Sequence, residues 1–105
     1  MTFSFHPDAR AELNQAVDYY EECAPGLGYE FLEEAYATIA RVLQYPDAWS
    51  QFSGRARRCL TKRFPYSVIY QVKEDLIRIV AVAHSHRCPG CWINRLNDDA
   101  SRISA

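Results

Sequence analysis

Eight consecutive residues, His84-Ser85-His86-Arg87-Cys88-Pro89-Gly90-Cys91, place two imidazoles and two thiols within one short stretch. Histidine changes charge near neutral pH, so either ring could take up or release a proton. On an extended chain His84 and His86 point to the same side. Cys88 and Cys91 form a Cys-x-x-Cys turn, which is half of many structural zinc sites and also the spacing of a reversible disulfide. A single such turn is a weak signal, and a complete site inside so short a segment needs a strained loop. The expectation is therefore ordinary thiols with no metal or other cofactor. The alternative is zinc held by His84, His86, Cys88 and Cys91, in a zinc- or redox-responsive interaction module. Cys23 and Cys59 are expected to be buried, as unpaired thiols usually are.

Charge supplies a second pattern. The formal net charge is only −1, but cutting the chain after Asp47 separates nine acids and two bases from four acids and ten bases. Such segregation suggests a basic face suited to a polyanion or an acidic peptide, unless the charges are simply solvated.

The elements that must position these groups change character at the same place. After a short apolar strand at Phe3-Ser4-Phe5, Pro7 and Asp8 suit a helix start, since proline needs no donor there and the acid favours the positive end of the helix. Ala9, Leu13, Ala16, Val17 and Tyr20 follow at helical spacing. Pro25-Gly26-Leu27-Gly28 breaks the helix, and Phe31, Leu32, Ala35, Ile39, Val42 and Leu43 form a second stripe that ends at Tyr45-Pro46. Residues 47–54 have turn chemistry and are read as a loop. Residues 57–63 form a weakly patterned strand, and 66–73 alternate as a clear one. Glu74-Asp75 turns the chain into 76–84, a nearly continuous apolar run expected of a strand covered on both faces. The order β-α-α-β-β-β predicts an α+β fold, with a helical hairpin packed on a small, mostly antiparallel sheet.

At 105 residues, 49% of them hydrophobic, the chain is expected to form one domain over residues 1–105 with a single modest core, its polar tail 97–105 frayed. The start lacks the basic and apolar segments of a signal peptide, and no run approaches the roughly 20 apolar residues of a membrane span. A cytoplasmic location and no membrane partner are expected. The oligomeric state stays open.

Several motifs in sequence order resemble the RelE/ParE family of bacterial toxins. They are Phe5-His6-Pro7-Asp8-Ala9 with Glu12-Leu13 and Tyr19-Tyr20-Glu21, then Pro25-Gly26-Leu27-Gly28 with Phe31-Leu32. Arg63-Phe64-Pro65-Tyr66-Ser67-Val68-Ile69-Tyr70 and Ile79-Val80-Ala81-Val82-Ala83-His84 follow, with Arg87, Pro89, Trp92 and Arg95 beyond. The resemblance implies a toxin of a type II toxin-antitoxin system, a basic sheet surface, and a cognate antitoxin whose disordered segment folds onto it.

Two mechanisms occur in that family. Its ribonuclease branch cleaves mRNA on the ribosome, which needs a group to activate the 2′-hydroxyl, a cation for the phosphate oxygens and a donor for the leaving oxygen. Arg63, His84 and Arg87 would be the catalytic residues on that reading. The ParE branch binds DNA gyrase without hydrolysis of its own. Where similar chains carry arginines near 86 and 88 and a tyrosine near 91, this one has His86, Cys88 and Cys91. That pattern is closer to the ParE side, so gyrase is the expected target, with the ribosome and its mRNA as the alternative. Arg58, Lys62, Arg78, Trp92 and Arg95 are the candidate polar contacts to target or antitoxin, and Leu13, Val17, Phe31 and Leu32 the candidate apolar anchors.

Overall fold

The computed structural model describes residues 2–53, 56–85 and 95–96. Seven elements follow one another: β1 (Thr2–Phe5), α1 (Pro7–Cys23), α2 (Leu27–Gln44), β2 (Ser50–Ser53), β3 (Ala56–Leu60), β4 (Tyr66–Lys73) and β5 (Leu76–His84). The strands form one sheet in the order β1-β5-β4-β3-β2, with β1 parallel to β5 and the other pairs antiparallel. This is the α+β hairpin-on-sheet arrangement that the apolar periodicities predict.

Helix α1 starts where proline and a cap coincide. Pro7 occupies its first turn, and the buried His6 accepts the Asp8 N–H at Nδ1, 3.0 Å away. The two helices join through Gly26, whose φ of 85° lies in the left-handed region. Glu21 then reaches across the turn, and its carboxylate accepts the N–H groups of Gly26 and Gly28 at 2.9–3.1 Å. A side chain of the first helix thus caps the second.

The main core lies between the hairpin and the sheet. Ala9, Leu13 and Ala16 of α1 and Phe31, Ala35, Ile39 and Val42 of α2 pack on Cys59, Val68, Tyr70, Ile77, Ile79 and Val82. Each large apolar side chain so buried contributes about 1.5–3 kcal/mol. A smaller cluster of Ala56, Ile69, Val80 and Ala81 covers the opposite face, with Leu96 laid against it. A bulge links the two: Ile69 pairs with Ala81 and Tyr70 with Ile79, so Val80 is the extra residue. Val80 and Ala81 therefore both face outward, while Ile79 and Val82 both face the helices. The long apolar run of β5 is thus explained by two covered faces and a change of phase between them.

Three expectations are corrected. Residues 47–54 are not all loop, because 50–53 form β2, an edge strand paired irregularly with β3. Its Ser-Gln-Phe-Ser sequence has no strand signature, and the pairing is imposed from outside: Arg57 Nη1 donates to the carbonyls of Trp49 (2.8 Å) and Asp47 (3.3 Å), holding the preceding chain beside β3. The strand expected at 57–63 is β3 at 56–60, because the Thr61 hydroxyl donates to the Phe64 carbonyl at 2.6 Å and turns the chain early. Cys23 is exposed because it is the last residue of α1, where the helix runs out past the buried Ala9, Leu13 and Ala16, whereas Cys59 is buried as expected.

Tyr70 ties the turn after α2 to the sheet, its hydroxyl donating to the Pro46 carbonyl at 2.7 Å. Burial pushes its phenol up to about 12, against an ordinary value of 10. The folded state thus favours the protonated ring, so this contribution is complete below pH 10 and lost between pH 10 and 12. Urea unfolding at pH 8–11 should show Tyr70→Phe about 1 kcal/mol less stable at pH 8, through the lost hydrogen bond, with a shallower alkaline decline than the parent.

Candidate functional site

The outer face of the sheet carries two of the expected cations. Arg58 of β3 lies opposite Ile69 and Arg78 of β5 opposite Gln71, so both belong to the outward set of residues, one strand apart. Arg58 is exposed beside Leu60, which is 56% exposed, whereas Arg78 is only 8% exposed. Their placement follows from strand alternation, since the residues between them face the helices.

Lys62 and Arg63 sit in the β3–β4 turn and meet α2 instead. The Lys62 main-chain N–H donates to Glu34 Oε2 at 2.7 Å, and Arg63 Nη1 to Glu30 Oε1 at 2.7 Å. The Arg63 guanidinium also stacks 5.1 Å from the Phe64 ring centre. Arg57 similarly approaches Asp47 at 3.9 Å, and Arg95 meets Glu12 at 2.9 Å and Asp8 at 3.7 Å. The opposite charges of the two halves are therefore partly matched inside the molecule, acids of the helical half against bases of the sheet half.

His84 ends β5, exposed, its ring edge-on to Tyr66 with centres 5.3 Å apart. Both border a groove of about 270 Å³ between α1 and β5, completed by Glu12, Gln15, Ala16, Tyr19 and Val82. Arg63 does not border it. The groove thus joins an imidazole and two phenols to the Glu12 carboxylate, which is itself paired with Arg95. Of the three expected catalytic residues, His84 lines the groove and Arg63 does not, while Arg87 lies outside the described residues, as does Trp92. His86, Cys88 and Cys91 lie outside them too; among the described residues no three metal-ligating side chains converge.

The four apolar candidates divide by burial. Leu13 and Phe31 are core residues, 1% and 0% exposed, and do not form a surface groove. Val17 and Leu32 are half-buried at the margin of that core. The sequence reading did not single out Gln15, Tyr19 and Tyr66 as groove residues, nor Glu12 as the partner of Arg95. The four-residue spacing of Asp8 and Glu12 put both acids on one face of α1, which is the signal that could have pointed to a shared cation.

The family model for the ParE toxin of type II toxin-antitoxin (parDE) systems matches residues 3–89. The chain belongs to the ParE toxin family. Among solved structures, a chain of the chromosomal ParDE toxin-antitoxin system from P. aeruginosa is similar to this one, with a TM-score of 0.71 and 18% identity over 80% of this chain and 95% of that one. At that identity the likeness is one of fold. A search of curated proteins finds no match. A ParE-type toxin is a component of a type II toxin-antitoxin pair, so an antitoxin is its family partner. No helix among the described residues is long and apolar enough to cross a membrane.

Proposed function

We propose that this ParE-family chain arrests growth in the bacterial cytoplasm by binding DNA gyrase, without hydrolysis of its own, and that a cognate antitoxin neutralises it by folding onto its surface. Family membership across residues 3–89 carries the reading. The chemistry of the described residues supports it over mRNA cleavage: Arg63 is engaged by Glu30 and does not border the groove that His84 lines.

The contact surface in this reading is the exposed part of the outer sheet face. Arg58 and Leu60 on β3 are joined by Lys62 in the adjoining turn, an apolar side chain between cations, as protein interfaces favour. Val17 and Leu32, at the helical margin, are the contacts assigned to the antitoxin. Because exposed cations contribute chiefly to association, raising salt should slow antitoxin binding more than it speeds release.

The test uses purified chain and gyrase on relaxed plasmid. Supercoiling should fall as toxin is added, and Arg58→Ala together with Leu60→Ala should weaken the effect roughly tenfold or more, as loss of central interface contacts does. Unimpaired supercoiling, with mRNA cut on ribosomes by the same preparation, would replace this reading with the ribonuclease one.

A further inference from the structure

β1 stops short of its neighbour. It pairs with β5 only as far as Phe5 and Ile79, and the next residue closes the contact with the His6 N–H donating to the Ile79 carbonyl at 2.8 Å. β5 continues for five residues beyond that point, and its main chain on this side needs other partners.

Two side chains supply them. Glu12 Oε1 accepts the Val82 N–H at 3.0 Å, and Arg95 Nη1 donates to the Val80 carbonyl at 3.1 Å. The same groups bind each other in a two-pronged pair, Nη1 to Oε1 at 3.0 Å and Nη2 to Oε2 at 2.9 Å, while Asp8 approaches Arg95 Nε at 3.7 Å. Both side chains of the pair are little exposed, 10% for Glu12 and 12% for Arg95. A largely buried, bidentate pair with main-chain bonds on both members differs in kind from a surface ion pair, because removing one partner strands charge and donors away from water.

The chain that follows is held by the same contact. Leu96 packs on Ala56, Ile69, Val80 and Ala81, the apolar cluster of the outer face. Ile69 is also the cross-strand neighbour of Arg58. Residues 95–96 thus lie as a strap from α1 around the β5 edge to the face that bears Arg58 and Leu60.

We propose that Glu12 is the anchor of this strap, and a positioning residue on which growth inhibition depends because the strap shapes the outer face. The functional half rests on the toxin reading above; the structural half does not.

Limited trypsin digestion with mass-spectrometric assignment of cuts tests it. Trypsin must draw the Arg95 side chain into its own pocket, so the pair protects the bond after Arg95. Glu12→Gln keeps size and an acceptor for Val82 but loses the charge. It should speed cleavage after Arg95 at least tenfold while leaving cleavage after Arg63, whose pair with Glu30 is exposed, unchanged. Arg95→Lys, which trypsin also cuts, should be intermediate. Equal rates after residue 95 in parent and Glu12→Gln, or equal acceleration at both sites as from general loosening, would overturn the anchor. At matched expression Glu12→Gln should also arrest growth more weakly than the parent; faster cleavage with undiminished arrest would overturn the functional half. A parent chain that does not arrest growth refutes the toxin reading and leaves the digestion result to stand alone.

Discussion

Phe31→Ala should cost about 3–5 kcal/mol, the range for emptying a large aromatic from a closed core. Phe31 is fully buried, and its ring lies 5.0–5.1 Å from those of Tyr20, Phe64 and Tyr66. These three come from α1, the β3–β4 turn and β4, so Phe31 is where α2 holds the other parts together. Its removal loses transfer energy, leaves a cavity and breaks three ring contacts at once. Against the 5–15 kcal/mol typical of a whole domain, much of the stability goes. Urea unfolding should show the midpoint falling sharply. Tyr66 also borders the groove with His84, so the defect should reach that groove, and the Tyr66–His84 contact offers a local readout by NMR. A loss below 1 kcal/mol would mean that the aromatic cluster is not the joint described here.

Gly28→Ala should be the next most damaging, by about 2 kcal/mol. Alanine is the better helix former by about 1 kcal/mol, so propensity alone predicts a gain. The structure predicts the reverse, because a Cβ at this position would stand 2.6 Å from the Val17 carbonyl oxygen and 3.0 Å from Glu21. The first neighbour is helix backbone and cannot turn aside, so α2 must move off α1, at a cost in the upper part of the 1–3 kcal/mol range for overpacking. Glu21 would lose its hold on the Gly28 N–H in the same movement. Gly26→Ala is the informative partner: nothing lies within 4 Å of its added methyl, so its cost, about 1–2 kcal/mol, comes only from the left-handed backbone. Thermal unfolding of the pair should rank Gly28→Ala as the less stable; a stabilised Gly28→Ala would show that the helices do not approach this closely.

What sequence could and could not reveal follows from how local each signal is. Both helices were legible because Leu13, Phe31, Ile39 and Val42 recur at helical spacing and fall in the core. β4 and β5 were legible through alternation and an apolar run, although the bulge at Val80 was not, since both its flanking faces are covered. β2 was hidden because its pairing depends on Arg57, a residue beyond its own segment. The same holds for the site. The outward placement of Arg58 and Arg78 follows from alternation once the strands are known, but the ion pairs do not follow from any local signal: Glu30 and Arg63 are 33 residues apart, Glu12 and Arg95 83. Leu13 and Phe31 fitted a groove as well as the core that periodicity favours, because apolar character alone does not say which side of a stripe is covered.

These internal pairs also refine the meaning of the segregated charge. The acidic helical half is, in part, the counterion of the basic sheet half.

The most direct test is to express the chain without antitoxin in a bacterial host and pulse-label DNA and protein synthesis over the first minutes. DNA synthesis should fail first, as gyrase inhibition requires, with translation following later. Protein synthesis failing first, with DNA synthesis intact, would contradict the account and leave Arg63, His84 and Arg87 as the residues to substitute.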